Sequence, residues 1–285
     1  MSKLPTLLVA CTVLGGCVSS AHQDRAQLVA PTALSEVYSH TGMKLMLATM
    51  SDGQDGCSES ECVKRAEFDQ RVAHTGARLA DAAYQAYPGL AKRIPAFDFS
   101  VLDKAEPGTA STAGGHIVVL RPVSSIALAD EALSFVIARE IGHVVSQHHE
   151  ENTATSLFIS VLTSVLAPAV NVAKLLAVAV SGTRAVASAS VTAASFASSR
   201  VLIESYRPKQ REEADVIAMR LLAPFGYDAP AVAAGFALAD PQSPPTKWMR
   251  ELQASVKFLE AHADRPELAQ TAQYAMPGQA ISAVK

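Results

Sequence analysis

Glu140 and His143 lie three positions apart in the run Ile137-Ala138-Arg139-Glu140-Ile141-Gly142-His143-Val144-Val145, and a second run, Gln210-Arg211-Glu212-Glu213-Ala214-Asp215, follows downstream. A hydrolytic zinc site takes two imidazoles one helical turn apart, so that both face one ion. It adds a carboxylate beside the first imidazole to activate the bound water, and a third ligand from a later element. The first run supplies the carboxylate, Glu140, and the second imidazole, His143, but Arg139 stands where the first imidazole would be. A guanidinium has no free lone pair and stays protonated at any relevant pH, so Arg139 cannot ligate a metal.

Both runs need helices to hold them. Asp130 can cap the first, whose apolar face is Leu133, Val136, Ile137, Ile141, Val144 and Val145 and which runs to about Gln147. Pro208 starts the second, in which Ala214, Ile217, Ala218, Leu221 and Leu222 recur at core spacing before Pro224 and Gly226 stop it. Upstream, Glu67 to Tyr87 reads as an amphipathic helix closed by Pro88-Gly89, and Phe97 to Leu102 and Gly115 to Leu120 read as strands. Further helices are expected from about Ala229 to Leu238 and from Thr246 to His262, with Trp248 and Phe258 as packing residues. Between Asn152 and Ile203 the only charges are Lys174, Arg184 and Arg200, which favours buried or membrane-contacting helical hairpins; Pro168 breaks the run as a spanning helix.

The order of these parts, from Gly114-Gly115-His116-Ile117-Val118-Val119 through Arg139-Glu140 and His143 to Ala214-Asp215 and Phe225-Gly226-Tyr227-Asp228, resembles metallopeptidase family 48, which includes the HtpX-type and CAAX prenyl proteases. The likeness covers about Glu67 to Asp228, with a fainter continuation to Pro266. It implies an α+β, predominantly helical, zincin-like (gluzincin) domain with a small sheet and two motif-bearing helices. It also implies metalloendopeptidase activity, with zinc as cofactor and Glu140 as general base. Family pattern puts the first histidine at Arg139 and a third ligand, glutamate, at Arg211, so His143 is the one ligand position retained. Asp215 would stand just behind the ligands, and the strand Gly114, Gly115, His116 and Ile117 would border the cleft and receive an extended peptide.

Two arginines at ligand positions would repel a divalent cation, so zinc is expected to be absent or weakly held. The same arginines are suited to pair with Glu140 and Asp215, ion pairs then replacing the metal, although Arg211 and Asp215 could equally be an ordinary helix-surface pair. Rescue ligands face geometric objections: Glu212 is turned about 100° from the ligand position, and His148 lies about 140° around a continuing helix from His143. His148-His149-Glu150-Glu151 reads most simply as a solvated helix end.

At the N-terminus, Lys3, the apolar run Leu4 to Leu14 and the small residues before Cys17 form a secretory signal over residues 1–16, and Leu14-Gly15-Gly16-Cys17 resembles a bacterial lipobox. The reading is a lipoprotein tethered to the membrane through Cys17, with Val18 favouring the outer membrane and a body facing the periplasm. Residues 17–66 then form a tether and loop, in which Cys57 and Cys62 pair as a disulfide in an oxidising compartment. Residues 67–285 form the peptidase-like domain with the apolar insert 152–203. With 49% hydrophobic and 18% charged residues the chain can bury a large core, and a net charge of -3 argues against nucleic acid. Three functions compete: a pseudopeptidase binding polypeptide or an envelope partner, an active zinc endopeptidase with a rearranged site, and a structural or assembly lipoprotein.

Overall fold

The computed structural model describes residues 17–19, 26–53, 56–127, 129–166, 206–237 and 245–263, with the backbone alone for 17–19 and 159–166. The signal segment, most of the apolar insert and the stretch from 264 onward lie outside the described residues. Among the described residues no helix is long and apolar enough to cross a membrane.

The chain opens with two short antiparallel strands, β1 (Cys17–Ser19) and β2 (Ala26–Leu28), and then forms α1 (Thr32–Thr49). Residues 26–50 are therefore part of the body, correcting the expectation of a tether up to residue 66. Met43, with the half-buried Leu47 and Met50, covers Val118 and Leu120 of the sheet. The apolar positions of α1 do not form one stripe, because backbone-directed bonds share the docking: Ala113 N–H donates to Ser39 Oγ at 2.9 Å, and Gly114 N–H donates to the Glu36 carboxylate.

Next, α2 (Glu59–Ala86) begins eight residues before the expected start, where Ser58 and Glu61 form a capping box. Cys57 and Cys62 are joined as a disulfide at this helix start, as the sequence led us to expect. Phe68, Val72, Leu79 and Ala83 form its buried face. A single turn, α3 (Leu90–Arg93), leads into β3 (Asp98–Leu102), β4 (Thr109–Ser111) and β5 (His116–Leu120).

The sheet order is β3-β5-β4, β5 lying parallel to β3 and antiparallel to β4. This corrects the strand assigned to receive a peptide: His116 and Ile117 belong to the central strand, paired on both sides, and the edge beside the candidate site is β4. Gly114 and Gly115 belong to the β4–β5 turn. Gly115 adopts φ 87°, and a Cβ there would come within 2.7 Å of the Ile94 side chain.

At the centre runs α4 (Asp130–Val145), buried without interruption from Ala132 to Val145. Because α4 has no solvent face, its polar residues Arg139, Glu140 and His143 must find partners inside the protein. It ends two residues before the expected Gln147. Ser146 and Gln147, the latter at φ 58°, turn the chain, and α5 (His148–Leu166) sets off in a new direction. Arg93 fixes this corner: it donates to the Val144 and Val145 carbonyls at 2.8 and 3.2 Å and to Glu150 Oε1 at 2.9 Å. Gln27 of β2 donates to the Ser146 carbonyl at 3.0 Å.

The remaining helices are α6 (Pro208–Leu222), α7 (Ala229–Ala234), shorter than expected, and α8 (Lys247–Ala261), capped by the Thr246 hydroxyl. Helix α6 packs along α4 so closely that a Cβ on Gly142 would meet the Ala214 carbonyl oxygen at 2.7 Å. Trp248 and Phe258 are half-buried against the main core, as their spacing suggested.

Candidate active site

The two motif helices, α4 and α6, bring Arg139 and Asp215 together. Arg139 is only 4% exposed, and its Nε lies 3.1 Å from Asp215 Oδ1. This half of the expected ion-pair substitution is present, but as an electrostatic contact, since neither atom completes a well-aimed hydrogen bond. Burial pushes the Asp215 carboxyl up to about 6, against the opposing pull of Arg139. The other half of the expectation is corrected: Arg211 reaches outward to Glu251 at 3.4 Å, and Glu140 takes no arginine among the described residues.

Glu140 is held by hydroxyls. Thr109 Oγ1 donates to its Oε1 at 2.7 Å and Ser111 Oγ to its Oε2 at 2.7 Å, while Trp248 Nε1 donates to Thr109 Oγ1 at 3.0 Å. Thr109 and Ser111 alternate on β4, so both side chains face α4. The sequence carries no signal for this, because a three-residue Thr-Ala-Ser strand has no readable period. Ser111 Oγ also sits 3.1 Å from His149 Nε2. As the serine proton is committed to Glu140, the imidazole must be the donor there. Burial, with lesser contributions from His148 and Arg93, depresses His149 to about 3, so it is neutral.

The corner after Val145 overturns two expectations. His148 is fully buried and its Nδ1 is 2.8 Å from His143 Nδ1, where a continuous helix would have turned it away. His148 to Glu151 are all buried instead of forming a solvated end. On its far side, His148 Nε2 lies 3.3 Å from Glu213 Oε2. The neighbouring Glu212, the rescue ligand weighed from sequence, is exposed. Tyr206 stacks flat on His143, with ring centroids 3.4 Å apart and planes at 13°. Burial first, then His148 and the Arg139 cation, lower His143 well below the ordinary histidine range.

Zinc does not fit these residues. A buried guanidinium stands at the first-ligand position, and one nitrogen of His143 is engaged by His148 while Tyr206 covers its ring face. His148 turns one nitrogen to His143 and the other to Glu213, so the three form a row with no common point for an ion. Among the described residues no three His, Cys, Asp or Glu side chains gather around one such point. What the arrangement does chemically is hold Glu140 by two neutral donors beside β4, the edge strand of the sheet among the described residues.

Comparison with known proteins agrees with this architecture. The family model described as Peptidase family M48 matches residues 68–272, more than half of the chain, from within α2 through α8. No curated protein matches the chain.

Proposed function

The chain belongs to peptidase family M48, and we propose that it is a pseudopeptidase of the bacterial envelope, holding extended polypeptide against a metallopeptidase-like cleft without zinc hydrolysis. The observation that carries this reading is the buried Arg139–Asp215 pair at the first-ligand position. A peptidase of this design needs an electron-pair donor there; a permanent cation contributes none and repels a second one.

The means of holding polypeptide is the β4 edge. Backbone bonds from Leu120 N–H to Gly108 and from Thr112 N–H to His116 bracket the strand. By antiparallel alternation Ala110 faces β5, and Thr109 and Ser111 direct their N–H and C=O groups away from it. An extended segment added to that edge would lie beside Glu140 and Trp248. The envelope assignment rests on the signal and lipobox pattern ending at Cys17. Pairing of Cys17–Ser19 with β2 would keep a lipidated Cys17 close against the body. Loss of labelled fatty-acid incorporation in Cys17→Ser checks that part.

The binding test is fluorescence anisotropy with unfolded and extended peptides on the purified protein. Thr109→Pro removes an outward amide and is expected to abolish binding, whereas Thr109→Val keeps the amide and is expected to retain it. Peptide cleavage that stops on chelation and in Glu140→Gln would overturn the pseudopeptidase reading. The alternative reading, an active peptidase with a rearranged metal site, would need the row His143, His148 and Glu213 to rearrange around one ion. That reading requires chelator-sensitive zinc that is lost in His148→Ala.

A further inference from the structure

Two histidines outside the candidate active site face one another across the junction of α1 and the β4–β5 hairpin. The rings of His40, on α1, and His116, the first residue of β5, have centroids 6.5 Å apart and are inclined at 55°. Both are reachable from solvent, the side chains being 41% and 30% exposed. Each Nδ1 has a carboxylate beside it: Asp98 Oδ2 lies 2.6 Å from His116 Nδ1, and Glu36 Oε1 lies 3.8 Å from His40 Nδ1. The Glu36 carboxylate is itself tied to the hairpin by the Gly114 N–H, and His116 N–H is held by Thr112 Oγ1 at 3.3 Å.

The Asp98 carboxylate at His116 Nδ1 favours the tautomer that leaves Nε2 with its lone pair, as in the carboxylate–histidine–metal arrangement, whereas Glu36, 3.8 Å from His40 Nδ1, adds only its negative charge. We propose that His40 and His116 bind one late divalent transition-metal ion, copper or zinc, through their imidazoles, at a site separate from the candidate active site. Metal–nitrogen bonds of about 2.0–2.1 Å bring two rings on one ion to centroid separations of roughly 5–6.4 Å, depending on the bond angle. The observed 6.5 Å lies just beyond that range, so binding requires both rings to turn toward a shared ion, which their exposure permits. No group of three His, Cys, Asp or Glu side chains gathers there among the described residues, so solvent completes the coordination; Asp98 orients the His116 ring, and both carboxylates contribute negative charge. Imidazole ligands and the divalent affinity order make copper the tighter of the two ions.

The site is tested on the full chain by calorimetric titration with zinc and by electron paramagnetic resonance with one equivalent of copper. The expected result is one ion per chain with hyperfine coupling to two imidazole nitrogens. His40→Ala or His116→Ala should each weaken binding at least about tenfold with unchanged far-ultraviolet circular dichroism, and Asp98→Asn about tenfold. His148→Ala, which alters only the buried site, should leave the copper spectrum as it was. Absence of binding at about 100 μM metal, where a site of this kind should fill, or binding that survives both surface substitutions, overturns the proposal. So does binding that disappears in His148→Ala. None of these outcomes depends on whether the cleft hydrolyses or holds peptides.

Discussion

Replacing Arg139 by methionine removes the cation and keeps most of the volume. With the pair intact, burial already lifts the Asp215 carboxyl from 3.8 to about 6. That shift corresponds to roughly 3 kcal/mol. Its sign follows from linkage: a raised folded-state value contributes stability that is fully present below about pH 4 and is lost as pH rises through about 6. Without Arg139 the carboxylate has no opposing charge at contact distance, its folded-state value rises further, and the loss at alkaline pH deepens. Breaking a buried pair from one side costs about 3–5 kcal/mol, and that range is expected for Arg139→Met at pH 8. At pH 4.5, where the buried carboxyl is already protonated, the cost should fall to the packing change alone, about 1–2 kcal/mol. Urea unfolding followed by the fluorescence of Trp248, the sole tryptophan, measures both values. The double variant Arg139→Met/Asp215→Leu should regain most of the stability at pH 8, because an apolar pair of similar volume replaces a poorly aligned ion pair. A loss below about 1 kcal/mol at pH 8, or one independent of pH, would refute the reasoning and mean that the pair is solvated.

His143 and His149 act in the opposite direction. Their lowered folded-state values contribute stability that is present above about pH 6.5 and lost as pH falls, His149 titrating in the fold at about 3. Stability should therefore decline below pH 6 with a slope of up to about 2.7 kcal/mol per pH unit, about half of it offset by Asp215 between pH 6 and 4, and His149→Gln should remove one proton from that slope. Gly142→Ala drives a Cβ against the Ala214 backbone and is expected to cost about 1–3 kcal/mol in denaturant unfolding. Arg93→Met leaves Glu150 buried without its cation and uncaps α4; a loss of about 3–5 kcal/mol with faster amide exchange around Ser146–Gln147 is expected.

Helices α4 and α6 were legible because each carries apolar residues at core spacing over several turns, and ion pairing of Arg139 and Arg211 with Glu140 and Asp215 was expected from the family's ligand positions; which arginine meets which carboxylate is set by the packing of α4 on α6. The corner at Gln147 was not. A left-handed residue that is not glycine has no local signature, and it is held by Arg93, more than fifty positions away in sequence. That one misjudged helix end accounts for the misplacement of His148, His149 and Glu150. Helix α1 escaped assignment to the body because polar bonds from Glu36 and Ser39 to the β4–β5 turn replace part of an apolar stripe. Glu213 rather than Glu212 faces inward because α6 buries Glu213, Ala214 and Asp215 together, enclosing a wider arc than one stripe of ligand positions would require. Edge strand β4 is set by its pairing with β5, which three residues of small side chains could not announce.

Zinc stoichiometry tests the central claim most directly. It should be measured on protein purified without metal-binding tags and in a His116→Ala background, so that the surface pair does not contribute. The account predicts negligible zinc and no peptide hydrolysis in that protein, and near-stoichiometric zinc when Arg139→His and Arg211→Glu are added. Near-stoichiometric zinc without those two changes, released by chelator and lost in His143→Ala, would contradict it.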